Sequence, residues 1–459
     1  MVRALLILVL VAAQSIAAPA PAPARAVLES GQLTWAPPPL VNPEVRTLTA
    51  GRTSTNLDIT KDYIIRLPTT VKLGATILIG GRNIVIIGGH IRLPTFIPGT
   101  TTSADARAIY IKDAVGTVHI EGVQIDTLND DSWGDAVSID APLATVQIQN
   151  VRVVDLKGMS GDTGFHGDVI QPWGGVGRLR VDKLSASTRF QGMFLPRDEG
   201  DIGSITIKRA NIIGLPLLPG AMGGYLLWVS PPGRNSTGIG PFYDFSDFYI
   251  QPRAGTTLGK TIWPDTGVTA NPLVVDANGF ATWPTMSNVV GGIQGGLPPG
   301  GDFVPSGAAG LGYVSPGYSL TTSATATASS VFQGNTAQFG PAKTIDGSVA
   351  DDSRWLSGEG DATPTLTIDF GGTKSVGEVH VSSGFNYPQG DPLAVLVNFA
   401  IEARVGGVWQ QLRLFTGNQA AKVVWTGLVQ ADRIRLVVTD PSRSNPDIAR
   451  VYEVTAYSS

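Results

Sequence analysis

An alternating pattern, apolar-x-apolar-x followed by Gly, Asn or a basic residue, returns five times in the first half of this 459-residue chain. It reads Val85-Ile86-Ile87-Gly88-Gly89, Val118-His119-Ile120-Glu121-Gly122, Val146-Gln147-Ile148-Gln149-Asn150, Leu179-Arg180-Val181-Asp182-Lys183 and Ile205-Thr206-Ile207-Lys208-Arg209. The starts lie 33, 28, 33 and 26 residues apart. Period-2 alternation marks a strand, and its return at that spacing marks a solenoid whose coils stack on one another. From the second repeat onward each carries another strand about ten residues upstream, at Ala108–Ile111, Ala136–Ile139, Asp168–Gln171 and Gly192–Leu195. Leu does not dominate the repeated positions and no coil holds a helical pattern. The expected fold is therefore a parallel β-helix and not a leucine-rich repeat.

Over roughly residues 45 to 265 the chain resembles right-handed parallel β-helix proteins, the architecture of pectate lyases, polygalacturonases and phage tailspikes. Stacking predicts an inward column of Ile109, Val137, Val169 and Met193, and a second of Ile111, Ile139, Gln171 and Leu195. Tyr110, Ser138, Ile170 and Phe194 then face outward. Gln171 is the polar exception in its column.

Composition narrows the class. The chain has no cysteine, which excludes disulfides, thiolate metal sites and a cysteine nucleophile. With 33 basic and 37 acidic residues its net charge is −4, so nothing points to nucleic acid. The 56 glycines and 32 prolines suit a turn-rich all-β protein. Arg3, the apolar run Ala4 to Ala13 and small residues at Ser15, Ala17 and Ala18 predict a secretory signal peptide. With its Ala/Pro spacer it would occupy residues 1–26, cleaved near Ala18 or near Ala26. That run is too short to span a bilayer, so the expected product is secreted, with no membrane span.

The expected β-helix domain covers 27–290. From about Pro216 to Pro316 the pattern loosens into Gly/Pro clusters and aromatic segments. Residues 291–317 read as a Gly/Pro-rich linker, or as a segment wrapping back to cap the solenoid.

Residues 318–459 have another texture, with alternating strands and no repeat. Ala342-Lys343-Thr344-Ile345-Asp346-Gly347 is followed by Ser353-Arg354-Trp355, Thr365–Gly371, Val408–Leu412, Arg433–Leu436 and Tyr452-Glu453-Val454. This order resembles the discoidin (coagulation factor type C) family, whose bacterial members are commonly carbohydrate-binding modules. The resemblance implies an eight-stranded β-sandwich jelly roll with a binding surface on the loops at one end. It also implies a structural Ca²⁺ at Asp346 and Glu453, with Asp351 a weaker candidate; the alternative is that Asp346 only closes a turn before Gly347. Trp355 is expected in the core. The loop holding Phe385, Asn386 and Tyr387 offers an aromatic face beside hydrogen-bonding groups, as sugar binding requires, or is simply a loop anchored by its rings.

The densest polar group of the solenoid is Asp162–Trp173, containing His166, Asp168, Gln171 and Trp173. His166 and Asp168 are two apart, hence on one face of an extended segment. Trp133 and Asp135 lie one rung before; Arg189, Arg197 and Asp198 lie one rung after. Adjacent rungs are about 4.8 Å apart, so these groups can converge. Two chemistries fit. A lyase acting on a uronate needs a base, here His166 or Arg189, and a cation such as Arg197 or Ca²⁺ beside the carboxylate. A glycoside hydrolase needs two carboxylates from among Asp135, Asp168 and Asp198. The structural alternative is that Asp168 closes a turn, Gln171 satisfies backbone groups and His166 bonds a neighbouring rung. The expected partner is a polysaccharide. The leading expectation is a secreted lyase, ahead of a hydrolase or a non-catalytic glycan binder.

Overall fold

The structure, a computed structural model, describes residues 32–160, 165–198, 200–234, 236–238, 240–387 and 391–458. The expected signal peptide and spacer, and Asp162 to Gly164 of the polar cluster, lie outside the described residues. The protein is all-β and divides into two compact units, Ser30–Ser319 and Leu320–Ser459.

In the larger unit the repeats pair with one another in parallel, each strand with its counterpart in the next repeat. Val118 pairs with Val146, Val146 with Leu179, Leu179 with Ile205 and Ile205 with Tyr243. Ile120, Ile148, Val181, Ile207 and Phe245 form the parallel row two residues on. Both rows are buried in one continuous apolar core. The first repeat is offset by one from the alignment expected of it: Ile84, not Val85, pairs with Val118, and Ile86 with Ile120. Ile84 and Ile86 are fully buried whereas Ile87 is exposed, because the period-2 alternation lets only one parity face the core. The residue closing each repeat sits in the left-handed region: Gly122, Asn150, Lys183 and Arg209 have φ of 67°, 50°, 52° and 45°. Gly and Asn tolerate that conformation, so the Gly/Asn preference of the repeat is a turn requirement.

Two further rows of parallel strands flank this one. One runs from His90–Leu93 through Gln124–Thr127 to the later part of Asp135–Leu156. The other runs from Thr76–Gly80 through Arg107–Lys112, the start of Asp135–Leu156, the start of Ile170–Thr188, Met193–Phe194 and Leu227–Trp228 to Ile262–Trp263.

That last row corrects the expected columns. Val137 pairs with Ile170, not Val169, and Ser138 pairs with Gln171. Ile170 is buried in the core and pairs on with Met193. Gln171 is half-buried on the face that carries Ser138 and Tyr110, so it does not interrupt an apolar column. The reason is one extra residue between this coil and the previous one, which a two-residue period turns into a change of face.

The segment 297–319 is hydrogen-bonded along the repeats in reverse chain order. Asp302 accepts from Asn211 and Arg152 at 2.9 and 2.8 Å, and the Ala308 carbonyl accepts from Asn150 at 2.6 Å. Gly310 N–H donates to Gly122 O at 2.8 Å. The Tyr313 and Tyr318 hydroxyls donate to the buried Glu121 at 2.7 and 2.6 Å, and Glu121 also meets His119 at 2.9 Å. Gly122 admits this path: a Cβ there would lie 2.0 Å from the Tyr313 ring. The N-terminal stretch docks on the same repeats, with Trp35 exchanging two hydrogen bonds with Gln149.

The smaller unit is an antiparallel seven-stranded sheet. The resemblance implied eight strands. Thr365–Ser383 and Lys422–Asp440, 19 residues each, are interrupted by register shifts around residues 369–378, so each counts once although it bends. Trp355 is fully buried, with its indole N–H donating to Ser330 O at 2.9 Å.

Candidate functional site

Three chain segments bring Arg107, Asp135 and Asp168 to the same edge of adjacent rungs. Arg107 pairs in register with Asp135, and the Asp168 backbone N–H donates to Asp135 Oδ1 at 3.0 Å. Ser138, three residues along, donates its hydroxyl to Asp135 Oδ2 at 2.5 Å. The Arg107 guanidinium forms an ion pair with Asp135 at 3.6 Å and packs over two rings, 4.5 Å from Tyr110 and 5.1 Å from Trp173. Gly167 is what lets the strand enter here. A Cβ at that position would stand 2.2 Å from the Lys157 carbonyl oxygen.

Both carboxyl groups are fully buried. Burial pushes the Asp135 carboxyl upward against its bonds to Ser138 and Asp168. Asp168 is pushed far above the ordinary range, first by burial, then by the charges of Asp135 and Asp198. Among the described residues neither Asp168 oxygen has a donor. Arg107 Nε and the Trp173 indole N–H are likewise enclosed without hydrogen-bond acceptors among the described residues. A buried polar atom without a partner is rare, and here several meet at one place. The site thus couples a neutral acid, a carboxylate held by a cation, and two aromatic rings.

The remaining expected residues separate. His166 is exposed, its ring 5.2 Å from Phe190. Arg189 is bound to Asp155 at 2.6 Å and to the Pro216 carbonyl, so the expected base or cation is committed elsewhere. Arg197 pairs with Asp201 at 2.9 Å. Asp198 is exposed and reaches Asp168 only through its charge. Trp133 stacks on Phe96 at 5.5 Å and donates to the Asp130 carbonyl at 2.8 Å. Gln171 and Trp173 flank the acid pair on the outer face. Sequence reasoning missed Arg107. Its signal was its place two residues before Ile109, the same offset as Asp135 before Val137, which becomes visible only once the rungs are in register.

In the smaller unit a second cluster forms around the expected aromatic loop. Arg354 lies 4.6 Å from the Phe385 ring and 5.6 Å from Tyr452, and Tyr387 is 5.8 Å from Tyr452. Asp351 accepts from Arg354 at 2.8 Å, from the Asn386 N–H at 3.1 Å and from the Tyr452 hydroxyl. These three donors all reach Asp351 Oδ1, which places Asp351 in this cluster. Arg354 Nε is enclosed without an acceptor among the described residues.

Asp346 and Glu453 do come together. Gly347 N–H donates to Glu453 Oε2 at 3.2 Å, while Asp346 accepts from Ser348 N–H at 2.9 Å and from the Ser353 hydroxyl. Glu453 is buried, and burial followed by the Asp346 charge lifts its carboxyl to about 9. A buried carboxylate opposed to an exposed one, with few donors between them, fits a hard cation. Among the described residues no group of three or more His, Asp or Glu side chains converges, so backbone oxygens would have to complete the shell.

The chain matches no protein-family profile and no curated protein. Among solved structures it is similar to chitosan-binding module 1 of a chitosanase/glucanase from Paenibacillus sp. IK-5. The identity is 23%, over 30% of this chain and 98% of that one, with a TM-score of 0.26. It is also similar to the family 32 carbohydrate-binding module of Streptococcus pneumoniae EndoD, at 17% identity over 31% of this chain and 99% of that one, TM-score 0.28. A third is the family 32 module of C. perfringens NanJ in complex with galactose, at 17% identity over 30% of this chain and 97% of that one, TM-score 0.25.

Proposed function

We propose that this is an exported carbohydrate-active protein whose parallel-stacked unit, read as a right-handed β-helix, hydrolyses glycosidic bonds at Asp135 and Asp168. The observation that carries the reading is the Asp168 carboxyl, enclosed, without a donor among the described residues and held neutral next to an Arg-paired carboxylate. Glycoside hydrolysis needs that division of labour. Asp168 would deliver its proton to the glycosidic oxygen as the C–O bond breaks. Asp135 would take the proton of the water that attacks the sugar carbon, with Arg107 holding Asp135 in its ionised form beforehand. β-Elimination is the weaker reading, since Arg189 is tied to Asp155 and His166 lies exposed against Phe190.

In the smaller unit, Phe385, Tyr387 and Arg354 would hold a sugar ring by its apolar face and its hydroxyl rim, keeping the larger unit near its substrate. Ca²⁺ would sit on Asp346 and Glu453 and brace that module.

One observation favours a second reading, a non-catalytic glycan binder: both carboxyls of the pair are closed off from solvent. The two are separated by incubating the protein with a panel of polysaccharides. Hydrolysis yields new reducing ends without the ultraviolet absorbance of unsaturated sugars, and Asp168→Asn and Asp135→Asn abolish it. Retention of a glycan without any new ends would establish the binder, and unsaturated products would establish the lyase.

A further inference from the structure

The outer-face row that carries Ser138 and Gln171 continues beyond the acid pair as aromatic rings. Phe194 follows next to the Ile170–Met193 pair, Phe194 pairs with Trp228, and Trp228 with Trp263. Ring centroids are 5.3 Å apart for Phe194–Trp228 and 5.8 Å for Trp228–Trp263, and Tyr225 lies 5.0 and 5.5 Å from the two tryptophans. All four rings are half-buried on the outside of the sheet, where packing does not require them. The Trp228 indole N–H is enclosed and has no acceptor among the described residues.

The charged groups around the rings are committed, and the Arg253 guanidinium donates to the Phe190, Leu215 and Gly224 carbonyls. Lys260 is matched by Asp265 at 3.1 Å, and the Tyr225 hydroxyl approaches the same carboxylate at 3.5 Å. Arg107 at the other end is matched by Asp135. A polyuronate would bring one negative charge per sugar onto apolar rings near Asp265 and Asp198, with no free cation supplied by these groups. An uncharged sugar brings an apolar ring face to the indoles and hydroxyls to the rim.

We propose that Phe194, Tyr225, Trp228 and Trp263 form a subsite platform for an uncharged polysaccharide that runs along the stacking direction, from the Asp135–Asp168 pair towards Trp263. Three rungs at about 4.8 Å give the platform room for two to three consecutive sugars. This rests on the glycan reading above and narrows its substrate class, replacing the uronate expected from sequence.

The test uses the full chain carrying Asp168→Asn, so that no substrate is consumed, and calorimetric titration with cello-, chito- and manno-hexaose and with oligogalacturonate. One of the uncharged oligomers is expected to bind, equally well from about 0.05 to about 0.5 M NaCl, because no ion pair is screened. Adding Trp228→Ala or Trp263→Ala should weaken it about tenfold or more, and Trp263→Phe should weaken it less. Any sugar held by the smaller unit contributes equally to every variant and cancels in the comparison. Binding of oligogalacturonate alone, binding of no probe, or affinities untouched by both alanine variants would overturn the proposal. A change of oligomeric state on Trp263→Ala would also overturn it, by making the rings a contact between copies. Intact platform binding in a protein that never hydrolyses glycan would sink the enzyme reading and leave the platform standing.

Discussion

Replacing Asp168 by Asn tests the central claim about the acid pair without touching substrate. The buried Asp168 carboxyl has no donor among the described residues and faces Asp135, so the fold keeps it protonated. Unfolded, the same group returns to its ordinary value of 3.8. Holding it neutral therefore costs the folded state stability that grows as pH rises above that value, at about 1.4 kcal/mol per pH unit for as long as the folded carboxyl stays protonated. The sign follows from proton binding: the folded state holds more protons than the unfolded state above pH 4. Stability is thus fully present below the unfolded value and is lost as pH rises towards the folded one. Asn carries no such term, although its amide N–H groups would be left without acceptors at a fixed cost of about 1–3 kcal/mol. The difference in unfolding free energy between Asp168→Asn and the parent should move in favour of the variant as pH rises from 5 to 7, by up to about 1.4 kcal/mol per pH unit. Urea unfolding of both proteins at three pH values measures it. A difference that stays constant with pH would mean that Asp168 is ionised in the fold, and the neutral-acid mechanism would fail with it.

Ca²⁺ at about 1 mM should raise the melting temperature of the smaller unit, and Glu453→Gln should abolish the shift; equal shifts in both proteins would dismiss the Asp346–Glu453 site. Gly122→Ala forces a Cβ to within 2.0 Å of the Tyr313 ring at a φ of 67°, and should destabilise the larger unit by about 1–3 kcal/mol in urea. Tyr318→Phe removes one donor from the buried Glu121 and should cost about 1–3 kcal/mol, growing as pH rises through the carboxylate range; a pH-independent loss would show that the hydroxyl serves packing alone. Phe385→Ala should lower glycan retention by the smaller unit without changing its urea midpoint, whereas a fall in the midpoint would identify the ring as structural.

The repeat was legible because a two-residue alternation recurring every 26 to 33 residues leaves few ways to bury its apolar parity. It identified the strands from Val118 to Ile207 and their mutual pairing. The Gly/Asn preference after each strand also had a local cause, the left-handed turn at Gly122 and Asn150. The string of motifs around Trp355 likewise announced a separate all-β module with that ring in its core.

Register was not local. Whether Val169 or Ile170 opposes Val137 depends on the pairing register between distant strands, which no local pattern fixes. That register decided which way Gln171 faces. The site depended on the same kind of information. Asp135 and Asp168 were visible as acids, but that they are enclosed together under Arg107, while Arg189 is spent on Asp155, follows from rungs about 4.8 Å apart in space and roughly 30 residues apart in sequence. Sequence determined that the strands recur and which residue types they carry. Tertiary structure alone decided which charges meet, because a carboxylate's partner and its exposure to water are properties of neighbouring strands.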